Sequence, residues 1–170
     1  MITRTIPREV TPQEIGWLAG ILDGEGSIAF GKSKNKGSKF GYNYYHGIHI
    51  VNTNQELIEK SSDIIFRLCD DIPTKAKMSK IDLKIYKNPA FKQNKQCHEI
   101  CLRNKVWTIR ILTILLPYLT EKRKRATALI KIINTLLKAS RDKNGKLLYS
   151  YYTPKLETYL TSIWNNARND

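Results

Sequence analysis

The stretch Trp17-Leu18-Ala19-Gly20-Ile21-Leu22-Asp23-Gly24-Glu25-Gly26 decides the fold of this chain. Just before it, Thr11, Pro12 and Glu14 form a capping box with proline at the first helical position. This pattern predicts a helix over about residues 12–24. The two glycines that flank Glu25 end that helix and lead the chain into a short apolar strand.

Two carboxylates, Asp23 and Glu25, lie where this helix ends. A carboxylate at a helix C-terminus faces the negative end of the helix dipole, which costs about 0.3–1 kcal/mol. A divalent cation would offset that cost, because hard cations bind carboxylate and carbonyl oxygens together. An EF-hand loop is excluded, because its twelfth position would be Lys34 instead of glutamate.

Gly16 and Gly20 are four residues apart and share one helix face with Asp23. A face of this kind lets two helix backbones approach closely, because no side chain separates them. Spacing alone does not decide between a partner helix and a helix packed on the sheet of its own chain.

Residues 18–26 match the LAGLIDADG signature, with Ile21 and Leu22 as aliphatic replacements, Gly24 in place of alanine and Glu25 in place of aspartate. The chain therefore resembles the LAGLIDADG homing endonucleases. The resemblance implies one α+β domain over residues 1–170 with the order αββαββα. An antiparallel sheet would form a DNA-binding saddle, with the helices on its opposite face. The core would reach about residue 140, followed by a C-terminal helical extension over about 141–170.

The motif occurs once in the sequence, whereas cutting both DNA strands requires two motifs. We therefore expect a homodimer with a two-fold axis between the motif helices. The residues expected at this interface are Gly16, Ala19, Gly20 and Asp23.

By the same resemblance, Glu25 and the carbonyl of Gly24 would bind the catalytic Mg²⁺, for which Mn²⁺ would substitute. Asn52 would orient water and Lys122 would stabilise charge on the phosphate, which gives the catalytic set Glu25, Asn52 and Lys122. Alternatively, Asn52 belongs to the cap of the next helix. Lys122 lies in a basic run, in which Lys124 is the alternative.

Strands are expected over residues 27–33 and 42–51, and a second strand pair is expected to begin near Thr74 and return through Arg103 after a loop over 81–95. Alternation assigns Ile48 and Ile50 to the helix side and polar residues to the other face. The residues expected to contact DNA are Ser33, Asn35, Asn43, Tyr45, His49, Lys75, Lys77, Glu99, Cys101 and Arg103.

The charge of the chain favours a polyanionic partner. It has 29 basic and 15 acidic residues and a formal net charge of +14, so a phosphate backbone is a more natural partner than a membrane. No stretch approaches the roughly 18 apolar residues of a membrane span. Three cysteines, an odd number, indicate reduced intracellular thiols. Bacterial or archaeal cytoplasm, mitochondrion and chloroplast are equally compatible.

Strand geometry excludes two pairs of residues from binding the same zinc ion. Cys97 and Cys101 would lie roughly 13 Å apart along one strand at about 3.3 Å per residue. His46 and His49 would point to opposite faces of another strand. Neither pair predicts a zinc site.

The sequence thus predicts a site-specific endonuclease that hydrolyses double-stranded DNA at a long pseudo-palindromic site and is encoded by a mobile intron. Two other functions on the same fold stay open. One is an intron maturase, whose partner would be the host intron RNA, and the other is a DNA-binding regulator that does not cleave.

Overall fold

A computed structural model describes residues 9–37, 41–72, 82–87, 96–139 and 153–168, with only the backbone of 82–87. The chain order is αββαββα followed by two further helices, which confirms the expected fold class. The elements are α1 (Pro12–Gly24), β1 (Gly26–Lys34), β2 (Tyr42–Asn52), α2 (Gln55–Cys69), β3 (Asp82–Lys87), β4 (Gln96–Leu102), α3 (Lys105–Leu115), a 3₁₀ turn (Leu116–Tyr118), α4 (Arg123–Ala139) and α5 (Pro154–Asn166).

The four strands form one antiparallel sheet in the order β1-β2-β4-β3. Ser27 of β1 pairs with His49 of β2, and His49 pairs in turn with Cys101 of β4. The two central strands, β2 and β4, therefore come from different strand pairs of the sequence and bring distant residues side by side.

The two faces of the sheet differ as the alternation predicts. Ile28, Ile48 and Ile50 are each at most 4% exposed and belong to the core shared with the helices. Asn43 and Tyr45, from the opposite face of β2, are exposed. The polar face of the sheet is thus left uncovered by the helices.

The predicted capping box at the start of α1 is present. The Glu14 backbone N–H donates to the Thr11 hydroxyl at 3.3 Å, and the Thr11 backbone N–H donates to the Glu14 carboxylate at 2.9 Å. Arg67 of α2 also donates to Glu14 at 2.6 Å, so that one carboxylate joins the two helices. Hydrogen bonding to Arg67 and to Thr11 lowers the pKa of Glu14 to about 2.

Helix α5 packs against the inner side of the β1–β2 hairpin. Phe30 stacks on Tyr44 with ring centroids 5.3 Å apart, and Trp164 of α5 meets the Phe30 ring edge-on at 6.0 Å. Lys32 forms an ion pair with Glu157 of α5. Burial, together with the neighbouring Tyr42, raises the pKa of Tyr44 to about 12.

One strand prediction was wrong. Residues 82–87, which we expected within a loop, form β3, because Asp-Leu-Lys-Ile-Tyr-Lys alternates polar and apolar residues and pairs with β4. The strand expected to begin near Thr74 lies outside the described residues. Among the helices that are described, none has the length and apolarity needed to span a membrane.

Candidate active site and nucleic-acid face

The end of α1 is joined to the segment before α4 through the Asp23 carboxylate. The backbone N–H and the hydroxyl of Thr120 donate to one Asp23 oxygen at 2.7 and 2.9 Å. The Lys122 backbone N–H donates to the other oxygen at 3.0 Å. Burial works against the charged form, but these hydrogen bonds outweigh it, so the pKa of Asp23 is lowered. Asp23 therefore ties the segment that leads into α4 to the end of α1.

Two of the four residues expected at a dimer interface make contacts within their own chain. Asp23 makes the contacts just described, and Ala19 is 0% exposed in the core of its own domain. Ala19 is buried because it lies, with Leu18 and Leu22, on the side of α1 that faces the core of the domain. Gly16 and Gly20 lie on the open side, where a Cβ would meet no atom within 4 Å.

Lys122 lies beside the end of the motif helix. Its ammonium group donates to the backbone carbonyl of Asp23, and its backbone N–H is held by the Asp23 side chain. The pairing of Asp23 with this segment thus decides which lysine of the basic run is next to the motif. Lys124, the alternative, is exposed on α4.

Glu25 occupies the C-cap of α1. Its backbone N–H donates to the Ile21 carbonyl at 2.8 Å, and the residue is exposed. Within the described part of the chain, no hydrogen bond or ion pair joins the Glu25 carboxylate to another residue. A charged group therefore stands at the negative end of a helix dipole without a cationic partner from these residues.

Asn52 is the last residue of β2 and lies at the end of the β1–β2 pair where α1 leads into β1. Gly26, the first residue of β1, pairs with Ile50, so that β2 runs two residues past this pair to Asn52. The Asn52 side chain accepts a hydrogen bond from the Asn54 backbone N–H at 2.8 Å, and Asn54 caps α2 through the Leu57 N–H at 3.2 Å. The capping interpretation of this segment is confirmed for Asn54, and a catalytic role for Asn52 stays a prediction.

The donor set at the motif suits a hard divalent cation. Glu25 offers an exposed carboxylate and Gly24 an adjacent backbone carbonyl, both oxygen ligands. The Lys122 ammonium is held on the Asp23 carbonyl by its own hydrogen bond. An oxygen-only set of this kind fits Mg²⁺ or Mn²⁺ and does not fit metals that prefer sulfur or nitrogen.

Most residues expected to contact DNA lie on the uncovered face or at its rim. Tyr45 lies across Gly31, where a Cβ would come within 2.5 Å of the Tyr45 hydroxyl. The Asn35 side chain accepts the Gly37 N–H at 3.0 Å within the hairpin turn. Five of the expected contacts are exposed: Ser33, Asn35, Asn43, Tyr45 and Arg103.

The centre of this face is less open. His49 and Glu99 are half-buried, and the His49 Nδ1 lies 3.0 Å from the Glu99 carboxylate. Cys101 is only 1% exposed, and its expected role in direct DNA contact stays a prediction. Lys75 and Lys77 lie outside the described residues.

Thr120 is the site residue that sequence reasoning missed. Its two hydrogen bonds to Asp23 bridge 97 positions of the chain. A threonine shortly before a helix is a common capping residue, and this signal was present in the Thr120-Glu121-Lys122 segment.

Comparison with solved structures places this architecture among the homing endonucleases. The chain is similar to I-CvuI in complex with the I-CreI target, with 19% identity, a TM-score of 0.62, and coverage of 92% of this chain and 81% of the other. Similarity to the intron-encoded I-CeuI bound to DNA has 17% identity and a TM-score of 0.62 over 96% and 70% of the two chains. For the LAGLIDADG enzyme I-LtrWI bound to target DNA, the identity is 18% and the TM-score 0.60, over 89% and 43%.

No family model matches the sequence, and a search of curated proteins finds no match. The structural similarity nevertheless extends over nearly the whole chain. The chain therefore has the LAGLIDADG homing endonuclease fold.

Proposed function

We propose that this chain is a site-specific DNA endonuclease that acts as a homodimer and requires a divalent cation. The observation that carries the proposal is the pairing at the end of α1, where an exposed Glu25 lies two residues from the carbonyl that binds the Lys122 ammonium. A protein that only binds DNA has no need for an exposed carboxylate and a lysine ammonium at the same helix end.

Each residue of the motif would have a distinct role. The Glu25 carboxylate and the Gly24 carbonyl would hold Mg²⁺, with Mn²⁺ as a substitute. When bound, the ion would lower the pKa of coordinated water and stabilise the negative charge on the leaving 3′ oxygen. Lys122 would stabilise negative charge on the scissile phosphate, and Asn52 would orient the attacking water.

Dimerisation is supported by the open glycine side of α1. A Cβ at Gly16, Gly20 or Gly24 would meet nothing within 4 Å, so this side of the helix is free to receive a second backbone at close range. Two copies related by a two-fold axis would bring two Glu25 carboxylates together and join two polar sheet faces into one saddle. The dimer would then read a long pseudo-palindromic site.

The DNA-binding role is supported by the net charge of +14 and the polar outer face of the sheet. A β-ribbon fits the major groove, and asparagine, histidine and arginine hydrogen-bond to base edges there. Similar proteins have been crystallised with DNA in 2 mM Mg or 2 mM Ca, as with I-CvuI. We place the protein in an intracellular compartment that contains the DNA of its mobile intron.

Cleavage of a randomised duplex library with Mg²⁺ tests this proposal. The intact chain should recover one pseudo-palindromic site, with Mn²⁺ also active and no product in chelator. Glu25→Gln should give no product. Its matched control is Glu56→Gln, which removes an exposed carboxylate from α2 and should cleave normally.

The other two functions predict different results in the same experiment. A regulator would bind one duplex and never cut it, whereas a maturase would bind a structured intron RNA and promote splicing. Binding should weaken with salt in all cases, with a slope near −0.9 per neutralised phosphate on duplex DNA. Binding without any metal-dependent product would overturn the endonuclease proposal.

A further inference from the structure

Three residues with metal-binding side chains meet at the centre of the outer sheet face. His49 and Cys101 are direct partners in the β2–β4 register, and Glu99 comes two residues before Cys101 on the same face. A potential ligand atom from each lies within 4.8 Å of the other two. This set comes from two strands that are about fifty residues apart in sequence, and none of its members belongs to the Glu25 site.

The hydrogen bonds of His49 orient its ring for metal binding. Nδ1 lies 3.0 Å from Glu99 Oε1, and because a carboxylate only accepts, Nδ1 carries the proton and donates. Nε2 is then the nitrogen with the available lone pair, and it lies 3.7 Å from Cys101 Sγ. This is the arrangement in which a carboxylate holds a histidine for a metal on its other nitrogen.

The separation of the two remaining atoms matches a tetrahedral metal. A zinc ion has Zn–S and Zn–N bonds of about 2.3 and 2.0–2.1 Å, and at a tetrahedral angle these place the two ligand atoms about 3.6 Å apart. The 3.7 Å between Cys101 Sγ and His49 Nε2 therefore requires almost no movement.

We propose that Cys101 and His49 bind a thiophilic divalent cation such as Zn²⁺, with Glu99 positioning the imidazole. The thiol proton of Cys101 is released to solvent as the sulfur–metal bond forms. Cys101 is 1% exposed, whereas the side chains of His49 and Glu99 are 23% and 16% exposed, so the ion would lie at the floor of the face with its remaining positions open to water.

This site would select a different metal from the Glu25 site. Sulfur and imidazole ligands favour zinc and other borderline or soft metals, whereas carboxylate and carbonyl oxygens favour magnesium. If the face contacts DNA, as the proposed function states, zinc at this position would withdraw His49 and Glu99 from the bases. Metal binding itself is independent of that function.

Cobalt titration of the reduced, metal-free chain without DNA tests the site. Co²⁺ bound by a thiolate gives a charge-transfer band in the near ultraviolet, and we expect one equivalent per chain, displaced by Zn²⁺. Cys101→Ser and His49→Gln should each abolish the band. Glu99→Gln should weaken cobalt affinity by about 10–100-fold, the usual effect of losing a group that orients a ligand.

The matched control is Cys97→Ser, which removes a buried thiol four residues earlier on the same face of β4 and should keep the band. Glu25→Gln should keep it as well, which separates this site from the proposed endonuclease centre. Thermal unfolding without metal shows whether each variant folds. If Cys101→Ser does not fold, the cobalt titration of His49→Gln tests the proposal. A band that persists without Cys101 or His49, or no binding at micromolar Co²⁺ or Zn²⁺, would overturn the proposal.

Discussion

Asp23 binds Lys122 twice, through its carboxylate to the backbone N–H at 3.0 Å and through its carbonyl to the side-chain ammonium. The first motif carboxylate therefore has a structural task inside one chain, and the second, Glu25, is left exposed. This division explains why two acids occur at one helix end. One holds the lysine segment in place, and the other is available to a ligand.

Removing the Asp23 carboxylate should destabilise the junction. Asp23→Ala should lower the free energy of unfolding by about 1–2 kcal/mol, the loss expected when N–H groups lose a charged hydrogen-bond acceptor. Urea denaturation measures this change. The control is Asp71→Ala, whose carboxylate is 69% exposed and pairs with Arg110 at 3.6 Å, so that it should change stability by less than about 0.5 kcal/mol. Equal effects would argue against a structural role of Asp23 at this junction.

Lys122 and Lys124 should differ in their effect on cleavage. Lys122→Met should reduce the rate by on the order of 10²–10³, as expected for loss of a group that stabilises developing charge. Lys124→Met should mainly weaken DNA binding, and it should make the salt slope of binding shallower by about 0.9 if Lys124 neutralises one phosphate. Single-turnover cleavage at saturating protein separates the two effects. The reverse ranking would show that Lys124 is the active lysine.

The glycines of α1 and β1 should respond in opposite ways to an added side chain. Gly20→Leu points into open space in one chain, so the monomer should fold normally while dimerisation is lost. At Gly26, however, a Cβ would come within 2.5 Å of Leu22 Cδ1 and 2.9 Å of the Leu22 carbonyl, so Gly26→Ala should destabilise the chain itself. Analytical ultracentrifugation and thermal unfolding together test both. A Gly20→Leu variant that remains dimeric would place the interface elsewhere.

His46 should make stability depend on pH in the acidic range. Burial, with a contribution from the nearby Lys105, lowers the pKa of His46 to about 4, and its Nε2 is buried without a hydrogen-bond partner among the described residues. The unfolded chain binds the proton from its ordinary value of 6.5 downwards, so stability should be unaffected above pH 6.5 and fall as the pH drops towards 4. Urea denaturation at several pH values should show a flatter profile for His46→Gln. Identical profiles for the two proteins would contradict the assignment.

Local signals in the sequence were sufficient for the elements around the motif. The capping box of Thr11 and Glu14 places the start of α1, and the alternation around Ile48 and Ile50 assigns the two faces of β2. These features depend on residues a few positions apart, which is the range over which helix caps and strand periodicity act.

Contacts between distant segments were beyond such reasoning. β3 was missed because the lysines of residues 82–95 outweighed a short alternating pattern whose partner is β4. The Asp23–Thr120 contact joins residues 97 positions apart, and the His49–Cys101 pair joins residues 52 apart. Spacing along one strand compares only residues of that strand, whereas sets that span two strands require the register.

The most direct test of the central claim compares the intact chain with Glu25→Gln on the selected duplex, measuring DNA affinity and Mg²⁺-dependent cleavage on the same samples. We predict that the substitution leaves affinity within about threefold, since Glu25 lies outside the polar sheet face, and reduces cleavage on the order of 10³-fold or more. Cleavage at an unchanged rate in the Glu25→Gln protein would contradict the assignment of this motif as the metal-dependent active site.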